Sequence, residues 1–168
     1  MKIKSIQKTT LIDYPGKIAC TLFLFGCSFR CGFCHNPELV IKETSKDISK
    51  EEVFDFLRKR QNQLEGVCFT GGEPLMTLEK EFVREIKNLG YKIKIDTNGS
   101  FPGKLKELID ENLVDFISMD IKTNKEDYSK VAGVPVNIEN IEKSIRLIMN
   151  NLEDYEFRTT ILKKIHSR

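Results

Sequence analysis

The 168-residue sequence lacks the features that mark membrane, secreted or nucleic-acid-binding proteins. No apolar run is long enough to span a bilayer, and the N-terminus has neither the apolar core nor the small-residue cleavage site of a secretion signal. Neither sign of charge dominates, because 27 Lys and Arg residues stand against 25 Asp and Glu residues. We therefore expect a cytoplasmic protein whose main partner is neither a membrane nor a nucleic acid.

The sequence also lacks internal repeats, low-complexity tracts and interdomain linkers, and its length suffices for one continuous hydrophobic core. We therefore predict a single domain over residues 1–168. Its five cysteines are an odd number, and three of them lie within eight residues of one another. In a reducing compartment this clustering indicates metal or redox chemistry rather than disulfides.

Apolar runs that alternate with amphipathic segments predict an α/β fold. Each of four runs rich in β-branched residues is followed by a polar or glycine-rich turn and then by a helical pattern, as in βα units around a parallel sheet. A fifth run near the C-terminus has no helix after it. The predicted strands cover residues 19–25, 66–70, 92–96, 115–120 and 155–162.

Capping signals and apolar periodicity indicate the helices. Ser49 and Glu52 form a capping box, Gly90 is a C-terminal stop, and Pro102 precedes a shorter apolar face. The longest apolar stripe most simply predicts a helix that faces the core. The four predicted faces carry Val53, Phe54 and Leu57; Phe82, Val83, Ile86 and Leu89; Leu105, Leu108 and Ile109; and Ile138, Ile141, Ile145, Ile148 and Leu152.

Residues that can bind a ligand or take part in catalysis follow four of the predicted strands. The carboxyl ends of parallel strands share one edge of the sheet, and ligands bind at that edge. We therefore expect four segments to lie together there: GCSFRCGFCHNP, GGEP, TNG and IKTN.

Cys27, Cys31 and Cys34 have the spacing C-x3-C-x2-C. A structural zinc site takes four ligands, and His35 is a poor fourth because adjacent residues seldom reach one ion in good geometry. Three thiolates without a fourth suit a [4Fe-4S] cluster that leaves one iron open to a substrate or cofactor.

The other two cysteines are interpreted as core residues. Cys20 lies near the start of the strand that leads to the cysteine loop, about 20 Å from it at roughly 3.3 Å per residue. Cys68 lies inside the second predicted strand. Free cysteine is commonly a buried apolar residue.

The segments at the strand ends resemble those of the radical S-adenosylmethionine (SAM) superfamily. CSFRCGFC has the form C-x3-C-x-aromatic-C, with Phe33 as the aromatic residue, and GGEP, DTNG and MDIK follow at the matching strands. More narrowly, TTLIDYPGKIACTLFLFGCSFRCGFCHNPELV, FTGGEPL, IDTNGS, SMDIK and YEFRTT resemble the activating enzymes of glycyl radical enzymes. The likeness runs from Ile3 to Ile165. It is greatest to the activating proteins of anaerobic ribonucleoside-triphosphate reductase and next to those of pyruvate formate-lyase.

The resemblance implies a partial, open TIM-like βα barrel. Such proteins usually continue into a further strand with another SAM-contacting residue, whereas this sequence ends at LKKIHSR, just after the fifth predicted strand. Three explanations stay open: a truncated chain, a naturally short barrel, or an edge covered by another subunit. Because an uncovered parallel edge favours association, we expect low solubility or oligomerisation of this chain.

The resemblance also implies the roles of site residues. Cys27, Cys31 and Cys34 would hold three irons, while the amino and carboxylate groups of SAM chelate the fourth. The residues implied to lie at the SAM site are Phe33, Cys34, His35, Gly71, Gly72, Glu73, Asp96, Thr97, Asn98, Asp120, Lys122 and Arg158.

Within that set, the glycines and Glu73 (or nearby backbone) would meet the methionyl end, and Phe33 and His35 would lie near the adenine. A surface position in the loop is the alternative for His35. The DTN segment would offer oxygens to ribose hydroxyls or a monovalent cation. The alternative is a simple turn, because the residue types of TNGS favour turns. Lys122 would meet the SAM carboxylate.

Asp120 would meet a cation or a hydroxyl, and a structural salt bridge between Asp120 and Lys122 is the alternative. Arg158 would belong to the SAM pocket. An inward-facing arginine needs an anionic partner, and Asp120, Glu73 or Glu156 would also satisfy it.

The implied activity is reductive cleavage of SAM to methionine and a 5′-deoxyadenosyl radical, which generates a glycyl radical on a partner enzyme. The expected partner is anaerobic ribonucleoside-triphosphate reductase, and pyruvate formate-lyase is the alternative. A low-potential donor such as flavodoxin or ferredoxin would supply the electron. A noncatalytic iron–sulfur or SAM-binding module stays open as a further alternative if the short C-terminus abolishes activity.

Overall fold

Six strands form one sheet in the computed structural model, which describes residues 1–41, 46–163 and 166. Five of the strands are parallel, and each pairs with the next one along the chain. The first strand pairs antiparallel with the second. In spatial order the strands are β1 (Ile3–Thr10), β2 (Ala19–Leu24), β3 (Gly66–Gly71), β4 (Lys92–Thr97), β5 (Phe116–Asp120) and β6 (Tyr155–Arg158). The predicted α/β class with a parallel sheet is confirmed.

Two features of the sheet differ from the sequence-based expectation. Strand β1 was not predicted. The fifth predicted strand, 155–162, is too long, because the observed strand ends at Arg158. Arg158 pairs with Asp120, the last residue of β5, so the neighbouring ladder ends there. Beyond this point Thr159 Oγ1 donates to Ile121 O at 2.8 Å. The other four predicted strands end within one residue of the observed ends.

Helices connect the strands, and four of the six described were predicted. The capping box is confirmed, because Ser49 Oγ accepts from Glu52 N at 3.1 Å and Glu52 Oε2 accepts from Ser49 N at 2.8 Å. Helices α2 and α5 are short and were not predicted. The helices are α1 (Lys50–Lys59), α2 (Pro74–Thr77), α3 (Lys80–Asn88), α4 (Pro102–Asp110), α5 (Tyr128–Ala132) and α6 (Ile138–Asn151). Within the described ranges, none of the helices has the length and apolarity that crossing a membrane requires.

The main core lies between the sheet and the helices. Ile93 and Ile95 on β4 are fully buried in it, together with Leu57 of α1, Ile86 of α3 and Ile148 of α6. Burying side chains of this size contributes about 1.5–3 kcal/mol each relative to exposure. The predicted apolar helix faces therefore attach the helices to one face of the sheet.

The opposite, concave face of the sheet is apolar at its base and polar toward the strand ends. Tyr14, Ala19, Cys68 and Phe116 form a small apolar cluster near the amino ends of the strands. Cys68 is buried there, as predicted, and Cys20 is fully buried in the main core. This cluster fills the part of that face near the amino ends of the strands with apolar side chains.

Candidate functional site

One cavity at the carboxyl ends of the parallel strands brings the predicted site residues together. It is lined by Cys27, Cys31, Phe33, Cys34, His35, Gly71, Gly72, Glu73, Asp96, Thr97, Asn98, Asp120, Lys122 and Arg158. Residues that the sequence reasoning missed also line it, namely Phe29, Asn36, Val40, Thr70 and Thr160. The four segments expected at one edge of the sheet therefore do meet there.

The cysteine loop follows β2 and is held by its neighbours. Gly26 N donates to Leu39 O at 2.8 Å, and Arg30 N donates to Ala132 O at 2.7 Å. The ring of Phe29 meets the ring of Tyr128 edge-on, with centroids 6.4 Å apart. Helix α5, although short, thus supports the loop that carries the thiols.

The thiols of Cys27, Cys31 and Cys34 are free and partly buried. Burial raises the pKa of the Cys27 and Cys31 thiols, so metal binding at these sulfurs would displace protons. Among the described residues, no three Cys, His, Asp or Glu side chains converge on a single metal position. An iron–sulfur cluster does not need such convergence, because each thiolate binds a different iron.

The two glycines after β3 allow two backbone segments to approach closely. Gly71 has φ +109°, and a Cβ there would lie 2.6 Å from the backbone N and O of Leu24. A Cβ on Gly72 would lie 2.1 Å from Gly26 O. Glycine is therefore required here by the contact between the GGEP turn and the start of the cysteine loop.

Glu73 is a buried carboxylate that caps a helix and joins two loops. Only 1% of the residue is exposed. Its Oε1 accepts from Leu75 N at 3.0 Å and from Thr97 Oγ1 at 2.7 Å, and its Oε2 accepts from Asn98 N at 2.6 Å. Burial raises the pKa of Glu73 to about 7, although these three donors favour the ionised form.

The DTN segment at the end of β4 is held by contacts within the protein. Asp96 accepts from Lys94 Nζ, and its Oδ2 accepts from Thr70 Oγ1 at 3.2 Å. Thr97 Oγ1 accepts from Gly99 N at 3.0 Å, a side-chain turn of the kind that Thr and Asn favour. Lys94 is 1% exposed and lies 5.8 Å from the ring centroid of Phe116.

Charged side chains pair on the β5–β6 side of the cavity. Lys122 Nζ lies 2.8 Å from Asp120 Oδ2, so these two residues do form the salt bridge that the sequence analysis gave as an alternative. Arg158 Nε lies 3.2 Å from Asp120 Oδ1, and Arg158 also lies 3.7 Å from Glu156 and 3.6 Å from Asp96. Of the anionic partners expected for Arg158, Asp120 and Glu156 are therefore observed. The sequence analysis did not predict Asp96 as a partner of Arg158, although Asp96 lies near the end of β4, the strand next to β5.

The Radical SAM superfamily matches residues 21–165 of the sequence. The chain belongs to this superfamily. Its members are enzymes that use a [4Fe-4S] cluster and SAM, as the resemblance implied. The cysteine loop, the GGEP turn and the DTN segment of this radical SAM chain all fall within the matched residues.

Among curated proteins, this radical SAM chain is similar to activating enzymes. It is 34% identical to the "Putative glycyl-radical enzyme activating enzyme MJ1227" of Methanocaldococcus jannaschii, over 97% of this chain and 69% of that protein. It is 33% identical to the pyruvate formate-lyase-activating enzyme of Clostridium pasteurianum, over 79% of this chain and 57% of that protein. The chain thus spans between about half and two thirds of the length of such relatives. It belongs with the glycyl-radical enzyme activating enzymes inside the superfamily.

Solved structures support the fold of this radical SAM chain. A structure of TYW1 with a lysine-pyruvate adduct matches 89% of this chain and 56% of its own, with a TM-score of 0.60 and 15% identity. A structure of anSMEcpe with bound AdoMet matches 80% of this chain and 40% of its own, with a TM-score of 0.59 and 22% identity. At these identities the likeness concerns the partial barrel fold alone.

Proposed function

We propose that this chain generates a glycyl radical on a partner enzyme, and that the partner is an anaerobic ribonucleoside-triphosphate reductase. The observation that carries the proposal is the single cavity that joins three free thiols to the GGEP turn, the DTN segment and the Asp120–Lys122 pair. The choice of partner rests on the sequence resemblance. The pyruvate formate-lyase-activating relatives make pyruvate formate-lyase the second candidate.

The residues present fit an iron–sulfur cluster. Cys27, Cys31 and Cys34 lie on one loop, are not in disulfides, and all line the cavity. The loop is anchored to the 3-10 turn Pro37–Leu39 and to α5, so the thiols are supported on both sides. These three cysteines would hold the cluster, and the cavity next to them leaves room for a further ligand.

The residues around the thiols fit SAM. Lys122 offers an ammonium group to the SAM carboxylate, and Phe33 and His35 offer ring surface for the adenine. Because Glu73 is 1% exposed and already accepts three hydrogen bonds, we assign the contact with the SAM ammonium to backbone carbonyls of the GGEP turn. Asp96 then remains for ribose hydroxyls or a monovalent cation.

Bound together, the cluster and SAM supply reductive cleavage of SAM to methionine and a 5′-deoxyadenosyl radical, with the electron from a donor such as flavodoxin or ferredoxin. The protein binds and orients these groups and limits the access of water. The apolar cluster around Tyr14 and Phe116 lies near the amino ends of the strands, and the cavity lies at their carboxyl ends.

Anaerobic reconstitution tests the first step of the proposal. The full chain would be loaded with iron and sulfide and mixed with SAM and dithionite, and 5′-deoxyadenosine would be measured by chromatography. We expect a [4Fe-4S] absorption band and formation of 5′-deoxyadenosine. An iron-loaded, folded chain that forms no 5′-deoxyadenosine would contradict catalysis and support the noncatalytic binding module.

The identity of the partner needs a separate test. The reconstituted chain would be mixed with SAM, reductant and either an anaerobic ribonucleoside-triphosphate reductase or pyruvate formate-lyase. Electron paramagnetic resonance would detect a glycyl radical on the protein that is the substrate. A radical on pyruvate formate-lyase alone would overturn the first choice of partner but leave the activity intact.

A further inference from the structure

Asn98 lies between the cysteine loop and the loop after β4. The residue is 6% exposed, although it lines the cavity. Its Nδ2 donates to Ser28 Oγ at 3.1 Å and lies 3.8 Å from Cys27 Sγ, which is within hydrogen-bonding range for a sulfur acceptor. Its Oδ1 accepts from Ser100 N at 2.9 Å and also from Ser100 Oγ.

The backbone N–H of Ser100 fixes the orientation of the Asn98 amide. A backbone N–H can only donate, so the atom that faces it has to be the amide oxygen. The NH₂ group then faces Cys27 and Ser28. Its two hydrogens and the two lone pairs of Oδ1 are all used by these contacts, so the amide has no hydrogen-bonding position left for a ribose hydroxyl or a cation.

The loop that carries Asn98 is itself anchored from two sides. Glu73 Oε2 accepts from the Asn98 backbone N at 2.6 Å. Ser144, a fully buried residue of α6, donates from Oγ to Gly99 O at 2.7 Å. These contacts hold the loop of Asn98 beside the cysteine loop.

The three cysteines differ in the hydrogen bonds that reach their sulfurs. Cys27 Sγ accepts from Phe29 N at 3.4 Å in addition to Asn98 Nδ2. Cys27 is thus the thiol that the Asn98 amide reaches. An N–H donor to a thiolate ligand withdraws negative charge from an iron–sulfur cluster and favours its reduced form.

We propose that Asn98 is a positioning residue that acts through Cys27: it donates a hydrogen bond to this cluster ligand and raises the reduction potential of the cluster, and it is not a ligand of SAM. This inference rests on the proposed function, because it needs a cluster bound at Cys27. It also replaces the role in ribose or cation binding that the sequence suggested for Asn98.

The test compares reduction potentials of the reconstituted full chain in the absence of SAM. Asn98→Leu removes the donor, and Asn98→Asp keeps the size and the acceptor for Ser100 N while replacing the NH₂ group by oxygen. Asn150→Leu is the matched control, because Asn150 is an exposed residue of α6 that does not line this cavity. Midpoint potentials would be measured by redox titration with electron paramagnetic resonance of the reduced cluster, and SAM affinity by equilibrium binding.

We expect both Asn98 variants to have more negative midpoint potentials than the wild type, an unchanged potential in Asn150→Leu, and SAM dissociation constants within about twofold of wild type. Unshifted potentials in cluster-loaded Asn98 variants would overturn the inference. Weaker SAM binding with an unshifted potential would also overturn the inference, and it would support Asn98 as a ligand of SAM.

Failure of both variants to take up a cluster, with unchanged circular dichroism, would show a structural role and also contradict the inference. A wild-type chain that takes up no cluster would overturn the proposed function and this inference together. If the wild type cleaves SAM and the potentials do not shift, the inference alone fails.

Discussion

Glu73 Oε2 accepts a hydrogen bond from Asn98 N at 2.6 Å, which ties the loop after β3 to the loop after β4. The other carboxylate oxygen accepts from Leu75 N and Thr97 Oγ1. One buried side chain therefore fixes the start of α2 and the turn after β4. Both segments line the cavity, so the shape of the site depends on this carboxylate.

Replacing Glu73 by Gln is expected to destabilise the protein by about 1–3 kcal/mol. Either orientation of the new amide places its NH₂ group against a donor, because each Glu73 oxygen accepts from a donor group. In a chain of this size the loss corresponds to a melting temperature lower by about 2–4 °C per kcal/mol. The melting temperatures of the wild type and Glu73→Gln would be measured by circular dichroism at equal iron content. Glu107→Gln, at an exposed position of α4, is the control and should change little.

The raised pKa of Glu73 predicts a pH dependence of stability. Burial raises this pKa from its ordinary value of 4.5 to about 7, so the folded state binds the proton more tightly than the unfolded chain. The resulting stabilisation is complete below about pH 4.5 and is lost as the pH rises through about 7. The free energy of unfolding of the wild type should therefore fall between about pH 5 and pH 7.5. Glu73→Gln should lack this slope, and an identical slope in both proteins would contradict the assignment.

Gly72→Ala is expected to reduce cluster binding. The new Cβ would lie 2.1 Å from Gly26 O, so the backbone that leads into the cysteine loop has to move. We expect less iron per chain after reconstitution and a lower melting temperature. Gly103→Ala is the matched control, because a Cβ at this position of α4 meets no atom within 4 Å and alanine favours the helix. Equal iron content in the two variants would show that the contact does not matter.

Substitution of single cysteines should separate ligands from core residues. Cys27→Ala, Cys31→Ala or Cys34→Ala should abolish the [4Fe-4S] absorption band, because each thiol lines the cavity. Cys20→Ala and Cys68→Ala should keep full iron content and lose only packing, because both residues are buried away from the cavity lining. Iron analysis and visible absorption after reconstitution provide the measurement. Loss of the band in either of the last two variants would contradict the assignment of ligands.

Arg158→Leu is expected to weaken SAM binding more than Arg158→Lys does. The arginine lies between Asp96, Asp120 and Glu156. Without it, Asp120 would pair with Lys122 alone and draw that ammonium group away from the SAM carboxylate. The expected loss for Arg158→Leu is about tenfold in the SAM dissociation constant. Equilibrium dialysis with the reconstituted protein measures it. Unchanged binding in Arg158→Leu would limit the arginine to a structural role.

The parallel sheet could be predicted from the sequence because its strands are apolar and its turns carry glycine. Strand β1 could not, because charge interrupts its pattern: Lys4 points inward, with a side chain that is 2% exposed. Lys4 pairs with Asp47 and lies over the ring of Phe25, so a contact from elsewhere in the chain makes its burial possible. A local pattern does not contain that information.

The members of the site were predictable, but their contacts were not. Each segment follows a strand, and the rule for parallel sheets places all of them at one edge. Which hydrogen bonds Glu73 and Asn98 use depends on how closely the two glycines let the loops approach. The pairing of Arg158 with Asp96 joins residues on strands that are not neighbours, so it depends on the curvature of the sheet.

Strand β1 makes β2 an interior strand of the sheet, with a paired neighbour on each side. The cysteine loop therefore follows a strand whose backbone amide hydrogens should exchange slowly with solvent. Strand β6 has one paired neighbour in the described part of the chain and only four residues. Local opening should begin there, so fluctuations would release the guanidinium of Arg158 long before they disturb the thiols.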